Sequence, residues 1–211
     1  FARRTPVLDS RAVSALAGGP VLLKCENLQR SGSYKVRGAY VRLARLSEAE
    51  RSRGVVAASA GNHAQGVALA AGRLGVRATV FMPDGAALPK VAATQEYGAH
   101  VELGGASVDE ALRRAQEHAD RTGAVLVHPF DHPDVVAGQG TVGLEILEQV
   151  PDVRTIVVPV GGGGLAAGIV AALGEDHPDV EVVGVQAAAA AAYPPSLEAG
   201  RPLTVPLRST M

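Results

Sequence analysis

Thr155-Ile156-Val157-Val158-Pro159-Val160-Gly161-Gly162-Gly163-Gly164-Leu165 is the stretch on which the reading of the fold turns. An apolar, β-branched run stops at four successive glycines, and apolar residues at helical spacing follow from Leu165 to Leu173. This reads as strand, glycine turn, helix. The same order recurs on either side. Strands at Val55–Ser59, Ala78–Met82, His100–Leu103, Ala124–Val127 and Glu181–Val185 alternate with helices at His63–Arg73, Leu88–Tyr97, Val108–Arg121 and Val142–Glu148. Short buried strands alternating with helices predict an α/β protein with parallel sheets covered on both faces.

Two breaks marked by glycine or proline, Arg53-Gly54 and His128-Pro129 through Pro133, divide the chain. Residues 54–131 are expected to form a small four-stranded domain. Residues 1–53 and 132–211 are expected to build a second, larger open parallel-sheet domain together. Composition agrees with a packed core: 47% of the 211 residues are hydrophobic and 19% charged, which excludes disorder. A net charge of -1 argues against a nucleic-acid or membrane-surface partner. The single cysteine, Cys25, precludes an internal disulfide and fits a reducing, cytoplasmic compartment. It lies in the apolar run Val21–Cys25 and is read as a buried structural thiol.

Three turns share one device, in which a helix start leaves backbone N–H groups and the positive end of the helix dipole facing the turn. In Gly161–Gly164 the backbone can wrap an anion with no Cβ in the way, and phosphate is its natural guest. No Lys-Ser/Thr follows, so it is not a Walker loop. A dinucleotide fingerprint on Gly161, Gly163 and Ala166 would need Glu181 as its ribose acid, which stands at the wrong end of the next strand. A plain tight turn is the bland alternative. Ser59-Ala60-Gly61-Asn62-His63 follows a strand and suits a carboxylate, such as that of an amino acid; an ordinary cap by Ser59 or Asn62 is the alternative.

The third turn, Ser31-Gly32-Ser33-Tyr34-Lys35, opens a helix over Val36–Leu46. The chain has three lysines, Lys24, Lys35 and Lys90, against 17 arginines. Only Lys35 combines a helix N-terminus with an apolar setting, and both depress an ammonium pKa. A neutral amine is what a Schiff-base lysine requires. The alternative is a surface lysine in a first helical turn. Phosphate cradle, carboxylate cradle and perturbed lysine together point to pyridoxal phosphate acting on an amino acid.

The motifs Ser33-Tyr34-Lys35-Val36-Arg37-Gly38-Ala39, Ser59–Gly66, His128-Pro129-Phe130-Asp131, Ala137-Gly138-Gln139-Gly140-Thr141 and Gly161–Leu165, in this order, resemble the threonine ammonia-lyase (threonine dehydratase) family of fold-type II, tryptophan synthase β-like, pyridoxal phosphate enzymes. The resemblance runs from Thr5 to Met211. It implies β-elimination of threonine, and of serine, to a 2-oxo acid and ammonia. It implies that Lys35 bonds the cofactor, that Asn62 hydrogen-bonds the cofactor's 3′-oxygen, and that Gly161, Gly162, Gly163, Gly164 and Leu165 hold its phosphate. Tyr34 stands beside the lysine where Phe is more usual. Ser59, Ala60, Gly61, Asn62 and His63 would bind the substrate carboxylate. A homodimer or homotetramer with a place in isoleucine biosynthesis follows from the same likeness.

Departures narrow the reading. Cysteine synthases carry Thr where His63 stands. Serine racemases, the nearest alternative together with hydroxyaspartate dehydratases, carry a serine base at position 60; Ala60 has no proton to exchange. The acids through which racemase-like members bind a divalent cation correspond to Gln186 and Ala192, so no such metal is expected. A non-catalytic amino-acid-binding module shares the motifs but has no need of Lys35. The family's Ser or Thr for the pyridine nitrogen comes from a C-terminal glycine-rich segment that these 211 residues do not contain. The last strands of the large domain are likewise expected to lie in a longer polypeptide, roughly 100 residues longer on domain-size grounds.

Overall fold

The computed structural model describes residues 1–206; the last five residues assigned above to the large domain lie outside it. The elements run β1 (Val7–Asp9), α1 (Arg11–Ala17), β2 (Leu22–Lys24), α2 (Lys35–Ala44), α3 (Glu48–Arg53), β3 (Val55–Ala58), α4 (Asn62–Leu74), β4 (Ala78–Met82), α5 (Leu88–Glu96), β5 (His100–Leu103), α6 (Val108–Thr122), β6 (Val125–Leu126), α7 (Pro133–Gln149), β7 (Thr155–Pro159), α8 (Gly164–Leu173), β8 (Glu181–Val185) and α9 (Tyr193–Ala199). The α/β reading with parallel pairing holds.

Four strands form a parallel sheet in the order β5-β4-β3-β6. Alternation along β3 explains its two coats. Val55 and Ala57 join Leu43, Val67, Val80 and Met82 in a core under α2 and α4, whereas Val56 and Ala58 meet Phe81 and the Ala111, Ala115, Ala119 stripe of α6. Those alanines recur every four residues and so share one helix face. Full burial of a side chain such as Leu43 contributes about 1.5–3 kcal/mol.

This strand order places a switch point. From β3 the chain moves to β4 on one side, and β6 adds on the other. A crevice therefore opens at the carboxyl ends of β3 and β6, where open α/β sheets bind ligands. The segments leaving those strands are Ser59–His63 and Val127–Phe130.

The flanking segments differ from expectation. They form two separate two-stranded ladders, antiparallel β1-β2 and parallel β7-β8, in place of one common sheet. β1 and β2 have three residues each and are joined across a single short helix. Leu22 and Leu23 are 45% and 46% exposed, and Cys25 is only half-buried. The apolar run Val21–Cys25 is a half-exposed hairpin strand, so the expected buried thiol is corrected.

The second difference is α7, which begins at Pro133, nine residues before the expected Val142. Pro133 suits the first helical turn, and the Nδ1 of His132 accepts from the N–H of Asp134 at 3.1 Å as a cap. Gly138 and Gly140 in this helix are crossing points. A Cβ on Gly138 would lie 2.6 Å from the Arg37 carbonyl on α2, and one on Gly140 would lie 2.6 Å from the Gly168 carbonyl on α8. The two flanking helices thus approach α7 at backbone distance, with Val142, Ile146, Ile156, Val158, Ile169 and Leu173 packed beyond the crossing. Among the described residues, no helix is long and apolar enough to cross a membrane.

Candidate active site

Lys35 is the first residue of α2, and Tyr34 stands at its N-cap without a capping side-chain bond. The Lys35 N–H donates to the Ser33 hydroxyl at 3.3 Å. Behind it, Gly66 of α4 supports the turn: a Cβ there would lie 3.0 Å from the Val36 nitrogen and 3.1 Å from the Lys35 carbonyl carbon. The side chain crosses to the other segment of the crevice, where Nζ donates to the Pro129 carbonyl at 2.7 Å. Nζ also sits 5.4 Å from the centroid of the Tyr34 ring. Burial lowers the Lys35 pKa from its ordinary value and raises that of Tyr34.

The other two lysines are engaged differently. Lys24 is half-buried, bonding Glu145 at 2.6 Å, Gln149 at 2.7 Å and the Thr5 carbonyl at 2.8 Å. Lys90 donates to Asn62 Oδ1 at 3.1 Å.

The Ser59–His63 turn begins α4 with no side-chain cap; Gly61 is the N-cap residue. Ser59 Oγ accepts from the Gly61 N–H at 3.1 Å instead, so the ordinary-cap alternative does not apply. His63, 4% exposed, places Nε2 2.8 Å from the Val127 carbonyl. Burial above all pushes its pKa down to about 4, aided by Lys35 and His128 and opposed by the Val127 hydrogen bond. A ring neutral at pH 7 donates Nε2–H to that carbonyl.

At the third turn, Gly163 has φ +87° and caps α8 without a side chain. The Phe130 ring lies where a Cβ on Gly162 would stand, and the Tyr193 hydroxyl where one on Gly163 would stand; a Cβ on Gly164 would be 2.9 Å from the Phe130 carbonyl. A cavity of about 710 Å³ opens between this loop and α9, lined by Phe130, Gly162, Gly163, Gly164, Tyr193 and their neighbours. Lys35 and the Ser59–His63 turn are not part of its lining.

The segment 127–130 is therefore the hub of the site. Val127 holds His63, Pro129 receives Lys35, and Phe130 covers the glycine loop. His128 fixes the hub's shape, its Nδ1 accepting from the Asp131 N–H at 2.7 Å.

Two side chains have roles that the sequence reading did not assign. Arg37, 3% exposed, binds Glu26 and Glu145 bidentately, along with Thr141 Oγ1 at 3.0 Å. Its hydrogen bonds to the two carboxylates outweigh burial and raise its pKa. An Arg in a motif dominated by a lysine carried no separate signal; the signal that could have found it is the pair Glu26 and Glu145, which lie far apart in sequence. Gln186 is the other. In the position read as a lost metal ligand, it donates to the Val160 carbonyl at 3.2 Å and accepts from the Tyr193 N–H at 2.9 Å, tying the strand before the loop to α9.

A family model described as pyridoxal-phosphate dependent enzyme matches residues 1–211. The chain belongs to the pyridoxal-phosphate dependent enzymes. An L-threonine ammonia-lyase of Thermotoga maritima is 54% identical over 198 residues, which is 94% of this chain and 49% of that protein. Maize serine racemase superposes with a TM-score of 0.93 at 38% identity, covering 98% of this chain and 63% of that one. A processed threonine deaminase of Solanum lycopersicum gives 0.92 at 40% identity, covering 95% and 55%. The chain spans about half the length of the curated relatives it matches. Its residues fit the family's cofactor. The donor set is a desolvated lysine whose amine reaches Pro129, an uncapped helix N-terminus behind a glycine loop that tolerates no Cβ at Gly162 or Gly164, and, four residues before the lysine, a buried Ser31 hydroxyl without a protein partner.

Proposed function

We propose that the chain is the catalytic part of a pyridoxal phosphate lyase that converts threonine, and serine, to 2-oxobutanoate or pyruvate and ammonia. The single observation that carries this reading is the Lys35 amine, desolvated and held on Pro129 in a segment that also touches the glycine loop and the Ser59–His63 turn. The name of the T. maritima relative favours the same substrate.

Each group has a role in this reading. When bound, the cofactor supplies an electron sink for the α-carbon. Lys35 attaches the cofactor, and its amine then removes the α-proton as the general base, within reach because of its attachment. The N–H groups of Ala60, Asn62 and His63 receive the substrate carboxylate at the start of α4, in a turn that Ser59 shapes by accepting from the Gly61 N–H. Those of Gly161–Gly164 and Leu165 receive the phosphate, and Tyr34 packs beside the lysine. The Asn62 carboxamide would hydrogen-bond the cofactor's 3′-oxygen. Departure of the β-hydroxyl and addition of water at the released product complete the change.

Ala60 supports elimination over racemisation, since a methyl group cannot return a proton to the opposite face. The division into residues 1–53 with 132–211 and residues 54–131 belongs to the proposal; α2 packs against α7 within the first part and against α4 across the division. In its fullest form, this is a cytoplasmic homo-oligomer feeding isoleucine synthesis. A keto-acid assay on threonine and serine, with the absorbance spectrum before and after borohydride, tests it. Absence of a reducible band would overturn the cofactor assignment; a band without keto acid would overturn the reaction.

A further inference from the structure

Lys90 occupies an unfavourable place. It is the third residue of α5, where the positive end of the helix dipole opposes a cation. No acidic residue lies in that first turn, and among the described residues no carboxylate is within 4 Å of its Nζ. Its hydrogen bond goes to the Oδ1 of Asn62, 28 residues away and at the start of α4. Helix geometry gives no reason for that contact.

The chemistry of the pair does. An ammonium has three donors and no acceptor, so it can meet a carboxamide only at oxygen. The two ends of the Asn62 amide are otherwise nearly interchangeable. With Oδ1 taken by Lys90, the opposite end of the amide is the NH2 group, a donor. We propose that Lys90 is a positioning residue for the cofactor: it holds the Asn62 carboxamide in the one orientation that offers Nδ2–H, and not a carbonyl oxygen, to the anionic ring oxygen of pyridoxal phosphate. This rests on the proposed function above. It adds to it a second-layer residue that does not touch the cofactor, and it explains a cation otherwise misplaced on its helix.

The test uses the cofactor-stripped protein titrated with pyridoxal phosphate, reading the dissociation constant and the ratio of the two visible absorption bands at fixed pH. That ratio follows the protonation of the chromophore and is not moved by a residue that merely supports the helix. Lys90→Met should weaken binding about three- to tenfold, the range of one ordinary net hydrogen bond, and shift the band ratio. Lys90→Arg, also a pure donor, should restore both. In an Asn62→Leu background Lys90→Met should change neither, because the effect passes through the amide. A Lys90→Met variant with the parent's affinity and band ratio overturns the proposal. So does an undiminished effect in the Asn62→Leu background, which would make Lys90 a plain charge acting on the cofactor at a distance. A parent protein that binds no pyridoxal phosphate fails the functional reading itself, and is distinguished because no variant is then needed to show it.

Discussion

The Nζ of Lys35 and the carbonyl oxygen of Pro129 are 2.7 Å apart, joining the first turn of α2 to the segment that leaves β6. The contact satisfies a half-buried ammonium with a neutral acceptor. Among the described residues no carboxylate pairs with it, and desolvation lowers its pKa. The acceptor is the neighbour of Phe130, whose ring covers the glycine loop.

Lys35→Ala should remove the borohydride-reducible absorbance and lower keto-acid formation by at least about 10²–10⁴-fold, the range for a lost general base. Lys35→Arg should do the same, because a guanidinium neither deprotonates nor bonds a carbonyl. Either variant retaining a reducible band would place the attachment elsewhere.

Arg37 anchors the same helix two residues on. Its guanidinium lies between Glu26 and Glu145, with side-chain exposures of 2%, 12% and 17%. Arg37→Met leaves two carboxylates with Lys24 as the one remaining cation on Glu145, and should cost about 3–5 kcal/mol in urea unfolding. The pH dependence has a definite sign. Burial would raise the Glu145 pKa, but hydrogen bonds from Arg37 and Lys24 outweigh it and hold it below the ordinary value. Its contribution is thus complete above the ordinary carboxylate range and is lost as pH falls through the lower folded value. Glu145→Gln should flatten the acid limb of a stability-against-pH curve below about pH 4.3.

How much of this was legible in advance follows from where each signal resides. The strands and helices between Val55 and Val127 follow from local apolar patterning, and so does the glycine turn after Val160. Lys35 stood out by elimination among three lysines. The hub at 127–130 did not, because its functional atoms are main-chain carbonyls, which every residue carries. The start of α7 was hidden by Gly138 and Gly140, whose purpose is contact with helices distant in sequence. Arg37 acts through partners 11 and 108 residues away, and Gln186 joins Val160, 26 residues before it, to Tyr193; periodicity has no access to such pairs.

His63 offers a prediction on acid sensitivity. Its folded pKa, pushed down to about 4 chiefly by burial, lies below the ordinary value near 6.5. The unfolded chain therefore takes up a proton first as pH falls. Stability from this group is complete above about pH 6.5 and declines until about pH 4, by up to about 3 kcal/mol. His63→Gln keeps a donor for the Val127 carbonyl but cannot titrate. The slope of stability between pH 6.5 and 4 should shrink in that variant, and an unchanged slope would assign it to other groups.

The glycine loop gives the sharpest steric prediction. Phe130 fills the space beside Gly162, so Gly162→Ala must displace either the ring or the loop. The backbone of 129–130 is held by Lys35 and by His128, and so the loop is the part that yields. Pyridoxal phosphate affinity should fall at least about tenfold, since an anion held by several backbone N–H groups loses them together. Phe130→Ala alone should leave the loop's conformation open to the phosphate and cost mainly packing, about 3–5 kcal/mol at most. In the double variant the added methyl enters the space that the ring vacated, and affinity should recover most of the loss. Recovery would show that steric displacement of the loop, and not lost flexibility at residue 162, caused the defect; a double variant as weak as Gly162→Ala would show the reverse.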